Sequence, residues 1–224
     1  PYYMDLLGSP EAVERGINAL KWAGEMAHKL GAELVITHIG LYHDHDEKEA
    51  LEMAVKNVRK VRDYYKSKGY NVKLGLEPNG KRAVFGTFEE IIAVAKRVSN
   101  TVPVLSYPHI HARCCGCLKD KNAFLNTLET VRKVTKDRRF YIIFSGVEHD
   151  GAGNMIKLAP IKRGDLKFDH LAECILDHMD WEYIIVSISP LLEHDALYMK
   201  VILERVQLKR EAKAARAALK EKSG

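Results

Sequence analysis

The stretch VLSYPHIHARCCGC at 104–117 places His109, His111, Cys114, Cys115 and Cys117 within nine positions. Imidazole and thiolate are the side chains that hold zinc, and clustered thiols also exchange with disulfides. Three readings fit: a metal site, a redox-sensitive loop, or a surface loop that tolerates small cysteines. In an extended segment His109 and His111 point one way, as do Cys115 and Cys117. That makes His111, Cys115 and Cys117, beside His109, an alternative metal set. The tight spacing is unlike the separated CxxC pairs of zinc ribbons, which favours the plain loop.

Other histidines share a pattern. Of ten, His38, His43, His45, His109, His111, His149 and His194 lie at or just past the C-terminal ends of apolar runs. Parallel α/β proteins build their active sites on that face. His28, His170 and His178 fall in predicted helices and read as surface or packing residues. In LYHDHDEKE at 41–49, alternating His and Asp ahead of a helix reads as a solvated cap. Cys174, on a predicted helix, reads as buried packing.

Five continuous apolar runs must position these groups: 33–39, 72–77, 102–106, 140–145 and 183–189. Runs without alternation are how strands buried on both faces read. Between them the 3.6-residue pattern predicts helices over 9–31, 46–68, 87–97, 121–137, 168–179 and 191–220. Strand alternating with helix predicts a parallel sheet with right-handed crossovers, and the spacing fits a (β/α)8 TIM barrel. Five units do not close a ring of eight, so about 90 residues are expected ahead of Pro1, on the basis of ~250 for a full barrel. An open, flavodoxin-like sheet is the competing fold.

The 224 residues carry a formal charge of +5, with 46% apolar and 29% charged side chains. This composition excludes a disordered chain, and no apolar run is long enough for a membrane span. With no signal peptide visible, the expected location is cytoplasmic. The mild positive charge permits contact with phosphate without demanding it. Gln occurs once, at 207, a depletion of amides found in proteins adapted to heat.

The segments PYYMDLLGSPEAVERGINAL, THIGLY, GLEPNGKRAVFGTFEEI, PHIHAR and FSGVE, with SPLLEHDALYMKVIL at 189–203, together resemble the archaeal branch of endonuclease IV, the zinc-dependent apurinic endonucleases. The resemblance implies a barrel of the xylose isomerase-like kind and three zinc ions cutting a phosphodiester beside an abasic site, in DNA rather than RNA. Carried over by position, it makes His38, Glu77 and His109 metal ligands, with Glu77 the bridging, catalytic carboxylate. Lys81, Arg82 and Arg113 become phosphate contacts, with Lys162 and Arg163 weaker ones.

The match then fails in an informative way. Ser106 stands where an aspartate is expected, Ile143 replaces a histidine and Ile188 a glutamate, and GAGNMIKLAP at 151–160 lacks an acid and histidine pair. A hydroxyl is a poor zinc ligand and isoleucine is none. The expectation is one zinc or none rather than three. Two functions stay open: a zinc-dependent phosphodiesterase of DNA repair, and a non-catalytic paralogue that binds nucleic acid or a nucleoprotein complex. Sugar isomerases need several strand-end carboxylates, and only Glu77 is visible.

The barrel is expected over 1–208, followed by a basic helical extension over 209–224. Lys209, Arg210, Lys213, Arg216, Lys220 and Lys222 lie there among alanines. The extension reads as a solvated helix end, or as an arm for nucleic acid or a protein partner.

Overall fold

Ser9, Asp46, Thr87 and Asp120 each accept a backbone N–H from the first turn of a helix, and these caps divide the chain into its units. The computed structural model describes residues 4–222, with side chains described through Leu219. Helix α1 (Pro10–Lys29) leads into strand β1 (Leu34–Thr37) and the short β2 (Gly40–Leu41). Helix α2 (Glu47–Ser67) precedes β3 (Lys73–Leu76) and the short β4 (Val84–Phe85). Helix α3 (Phe88–Arg97) is followed by β5 (Thr101–Pro103), β6 (Leu105–Ser106), α4 (Tyr107–Arg113) and α5 (Lys121–Thr135). The chain continues through β7 (Arg139–Phe144), β8 (Gly146–His149), β9 (Met155–Ala159), α6 (Phe168–Asp177), β10 (Glu182–Ser187) and α7 (Glu193–Lys222).

All five apolar runs are parallel strands in chain order. β3 pairs with β1 and β5, and β7 pairs with β6 and β10. Val104, between β5 and β6, donates its N–H to the Leu76 carbonyl at 2.9 Å, so the run 101–106 joins the two sets. Among the described residues, β1 and β10 have no strand on their outer sides.

Each strand is short because its C-terminal end turns at once into a loop. Beyond the strand ends the chain also forms two antiparallel pairs, β2 with β4 and β8 with β9. Apolar side chains between strands and helices form the core in two clusters. One gathers Leu20, Val58, Tyr65, Leu74, Leu76 and Ile91. The other gathers Leu105, Tyr107, Phe124, Ile142, Phe144 and Leu171.

The segment 107–113 is a helix, not the extended stretch expected. Pro108 sits in its first turn, where its missing N–H costs no hydrogen bond. The basic extension expected from 209 is the uninterrupted continuation of α7. Arg210 still belongs to the body, donating to the Asp177 carboxylate at 2.7 Å and the Glu173 carbonyl at 3.0 Å. No described helix is long and apolar enough to cross a membrane.

Candidate metal centre

Three side chains leave the ends of neighbouring strands and converge. His38 follows β1, Glu77 follows β3, and His109 sits in the first turn of α4, just past β6. The Glu77 N–H donates to the Thr37 carbonyl at 2.9 Å, extending the β1–β3 ladder by one residue and fixing where the carboxylate starts. Glu77 Oε2 lies 3.7 Å from His38 Nε2 and Glu77 Oε1 lies 3.4 Å from His109 Nδ1. One ligand atom from each of the three residues lies within 4.8 Å of the others.

The rings are oriented by the backbone. His38 Nδ1 lies 3.2 Å from the Glu77 carbonyl oxygen, and His109 Nδ1 lies 2.9 Å from that of Pro78. A carbonyl only accepts, so each Nδ1 carries the proton and donates it. Each Nε2 therefore keeps its lone pair; that of His38 faces Glu77, whereas His109 turns its Nδ1 side toward the carboxylate. Two imidazoles and a carboxylate fit one divalent ion with an open position.

Burial alone would raise the Glu77 carboxyl. The hydrogen bond from His109, with the positive charge that His38 and His109 carry when protonated, outweighs it and holds the group below its ordinary value. Anionic Glu77 is the form a cation needs.

The replaced ligands lie together. Ser106 and Ile143 are register partners on β6 and β7, and Ile188 follows β10 with its N–H on the Phe144 carbonyl. Ser106 is fully buried, and its Oγ has no hydrogen-bond partner among the described residues. Ile143 is buried beside it. Donors are thus missing on the β6–β7–β10 side, where further ions would need them.

His38 and Glu77 line a cavity of about 670 Å³ with Asp5, Asn79 and Lys81 among apolar neighbours such as Leu20 and Val35. Asp5 is a site residue the sequence reading missed. It lies in an irregular segment with no periodicity to mark it. Its Oδ1 accepts the Leu7 N–H at 3.2 Å, and its Oδ2 lies 2.7 Å from His43 Nε2. His45 bonds the Leu7 carbonyl and Asp46 forms a capping box with Glu49, while His43 reaches the cavity rim through Asp5. His194 stands exposed in the first turn of α7, away from this cluster.

The three expected phosphate contacts separate. Lys81 lines the cavity. Arg82 donates to the Ala152 carbonyl at 3.3 Å and is exposed. Arg113 donates from its guanidinium to the carbonyls of Lys81 and Val84 and so holds the 81–84 loop. Gly80 lets that loop approach, since a Cβ there would meet Met155 Cβ at 2.9 Å. Lys162 rests over the Tyr198 ring.

The alternative set of His111, Cys115 and Cys117 is not assembled. Cys117 is bonded to Cys114 in a disulfide, so it has no thiolate to offer, and Cys115 is exposed. Because 107–113 is helical, His111 points away from His109 and meets His149 and Asp165 instead. Its Nε2 lies 3.0 Å from Asp165 Oδ1, and His149 Nε2 lies 3.6 Å from Oδ2. Here the tautomer runs the other way. Leu118 N–H donates to His111 Nδ1 and Gly151 N–H to His149 Nδ1, each at 3.2 Å. Both Nε2 atoms then carry protons and face the Asp165 carboxylate, which suits hydrogen bonds to it. Cys174 is buried, and burial pushes its thiol up to about 11.

Comparison with known proteins agrees with this architecture. A D-tagatose 3-epimerase-like protein superposes with a TM-score of 0.71 at 19% identity, over 96% of this chain and 77% of its own. Endonuclease IV from Thermus thermophilus gives 0.64 at 19%, over 93% and 74%. IolI protein with a bound zinc atom gives 0.62 at 16%, over 92% and 73%. At these identities the likeness shows the fold. Epimerases and an endonuclease share it, so it selects neither activity. Residues 1–218 match the family described as xylose isomerase-like TIM barrel, and the chain belongs to that family.

Proposed function

We propose that this chain holds one divalent cation, zinc by preference, on His38, Glu77 and His109, and acts on a phosphodiester of damaged DNA as a single-ion relative of endonuclease IV. The observation that carries this reading is the convergence of two histidines, each oriented by a backbone carbonyl, on a carboxylate held anionic. A bound ion supplies Lewis-acid charge and lowers the pKa of water. The remaining work belongs to the chain. Lys81 brings a cation to the cavity wall, where a phosphate oxygen needs it. Asp5, paired with His43, puts a second carboxylate on the same cavity as a proton acceptor.

A second reading, binding to nucleic acid without cutting, is favoured by the loss of donors at Ser106, Ile143 and Ile188. Incubating the purified protein with duplex DNA bearing an abasic site, with and without a chelator, separates the two. Strand cleavage that a chelator abolishes and Glu77→Gln removes supports the first. Retention of the duplex with no cleavage supports the second. Turnover of a ketose by the same preparation, with neither DNA result, replaces both.

A further inference from the structure

The connection from α4 to α5 carries chemistry that the metal centre does not use. Cys114 and Cys117 are joined by a disulfide, and both are exposed, as is Cys115 between them. With Phe88, Glu89, Ile110 and Arg113 the pair lines a cavity of about 390 Å³. Helix α3 lies between β3 and β5 in the chain and α5 between β6 and β7, so this cavity is away from the outer sides of β1 and β10. A bond between residues three apart constrains the unfolded chain less than one closing a long loop, so bracing the fold is a poor account of it. Exposed disulfides are the ones that exchange.

The backbone around the bond serves both oxidation states. Cys114 Sγ accepts the Cys117 N–H at 3.2 Å, so a thiolate leaving at Cys114 meets a donor already in place. The same sulfur lies 3.4 Å from the His111 carbonyl oxygen, within reach for an S–H to donate once it is protonated. Inside the ring, Cys115 and Gly116 both have left-handed backbone, with φ of +58° and +86°. Cysteine seldom adopts that conformation, and the closed ring holds it there. The turn seats Gly116 on the second histidine cluster, where a Cβ would meet Asp165 Oδ2 at 3.2 Å and His149 Nε2 at 3.4 Å. The Gly116 N–H donates to the His111 carbonyl at 2.8 Å, and the Leu118 N–H donates to the His111 ring. Opening the ring therefore acts on His111 and His149 before anything else.

We infer that Cys114 and Cys117 form a reversible dithiol–disulfide site that exchanges with an external dithiol and thereby sets the placement of His111 and His149. A thiolate of the dithiol attacks Cys117 Sγ, forming a mixed disulfide and releasing Cys114 as a thiolate. The second thiolate of the dithiol then displaces Cys117 and closes the reductant's own disulfide. Two electrons and two protons pass to Cys114 and Cys117, and oxidation runs the same steps in reverse. Cys115 takes no part.

Maleimide labelling of the folded, full chain, read by mass spectrometry, tests this with dithiothreitol as the probe. The oxidised chain should take one label, on Cys115, because Cys174 is buried. After dithiothreitol it should take three, and oxidised dithiothreitol should return it to one. Cys115→Ser should lower both counts by one and leave the midpoint of the titration unchanged. The ring resonances of His111 and His149 should shift on reduction while that of His28 stays. Faster reduction by reduced thioredoxin than by dithiothreitol at equal concentration assigns the dithiol to a protein, and the reverse order to a small molecule. A disulfide that yields only when the chain is unfolded, or a chain that takes three labels after oxidation, overturns the inference. Full exchange with no change at His111 and His149 overturns the link to that cluster.

Discussion

His38 and His109 hang from consecutive carbonyls, those of Glu77 and Pro78, at 3.2 and 2.9 Å. One turn of backbone after β3 therefore sets the tautomer of both rings and carries the carboxylate between them. The same residues His111 and His149 show what the alternative looks like: backbone N–H groups on Nδ1 and protons turned toward Asp165.

This contrast predicts one cation per chain. Calorimetric titration with zinc, or metal analysis after dialysis, should give a stoichiometry of about one rather than three. Glu77→Gln should weaken binding by about 100-fold or more, and His149→Ala should leave it unchanged. Loss of binding in His149→Ala with retention in Glu77→Gln would reverse the assignment of the two clusters.

Ser106→Asp tests the vacant side of the centre. A carboxylate in a fully buried position, close to Glu77, should cost about 1–3 kcal/mol without metal. Adding zinc should recover most of that loss and shift the melting temperature upward more than in the parent chain. A melt indifferent to zinc would place position 106 outside the reach of an ion.

Gly24→Ala tests the packing of α1 on α2. A Cβ at 24 would lie 2.2 Å from Tyr65 Cε1, and Tyr65 is buried with its hydroxyl donating to the Leu20 carbonyl at 2.6 Å. With nowhere for the ring to go, the expected loss is about 1–3 kcal/mol. Gly31→Ala, where nothing lies within 4 Å but φ is +68°, isolates the backbone cost and should lose about 1 kcal/mol. Denaturant midpoints for the two variants distinguish steric from conformational strain.

Acid sensitivity should depend on Asp177. Its partial burial favours the neutral form, but Lys121 and Arg210 bond the carboxylate and hold it below the ordinary aspartate value. As pH falls the unfolded chain takes up this proton first. The contribution is complete above about pH 4, the ordinary aspartate range, and fades as pH drops through the lower folded value. Asp177→Asn should cost about 0.5–1 kcal/mol at neutral pH and flatten the stability profile below pH 4. Urea midpoints taken between pH 3 and 7 give the slope, and parallel profiles for the two proteins would reject the assignment.

Much of the scaffold was readable because its signals are local and repeated. The run FYIIFS is apolar throughout and became β7, while Thr87 with Glu90 announced the start of α3 through a capping box. His38, Glu77 and His109 were readable only through resemblance, because nothing in their spacing shows that three strand ends meet. The helix at 107–113 was missed because it spans two turns, too short for periodicity to register against the extended reading. Asp165 was invisible for a different reason. Its partners His111 and His149 are 54 and 16 residues away, brought to it by the β8–β9 hairpin and the end of α4.

α4 is a shared axle. Two of its residues, 200° apart around the helix, serve two neighbourhoods: His109 donates from Nδ1 to the Pro78 carbonyl, and His111 accepts at Nδ1 from the Leu118 N–H. A single residue inserted or removed between Tyr107 and Arg113 would turn one ring out of its neighbourhood and mis-set the other at once. Length changes are therefore intolerable in the seven residues that aim both rings.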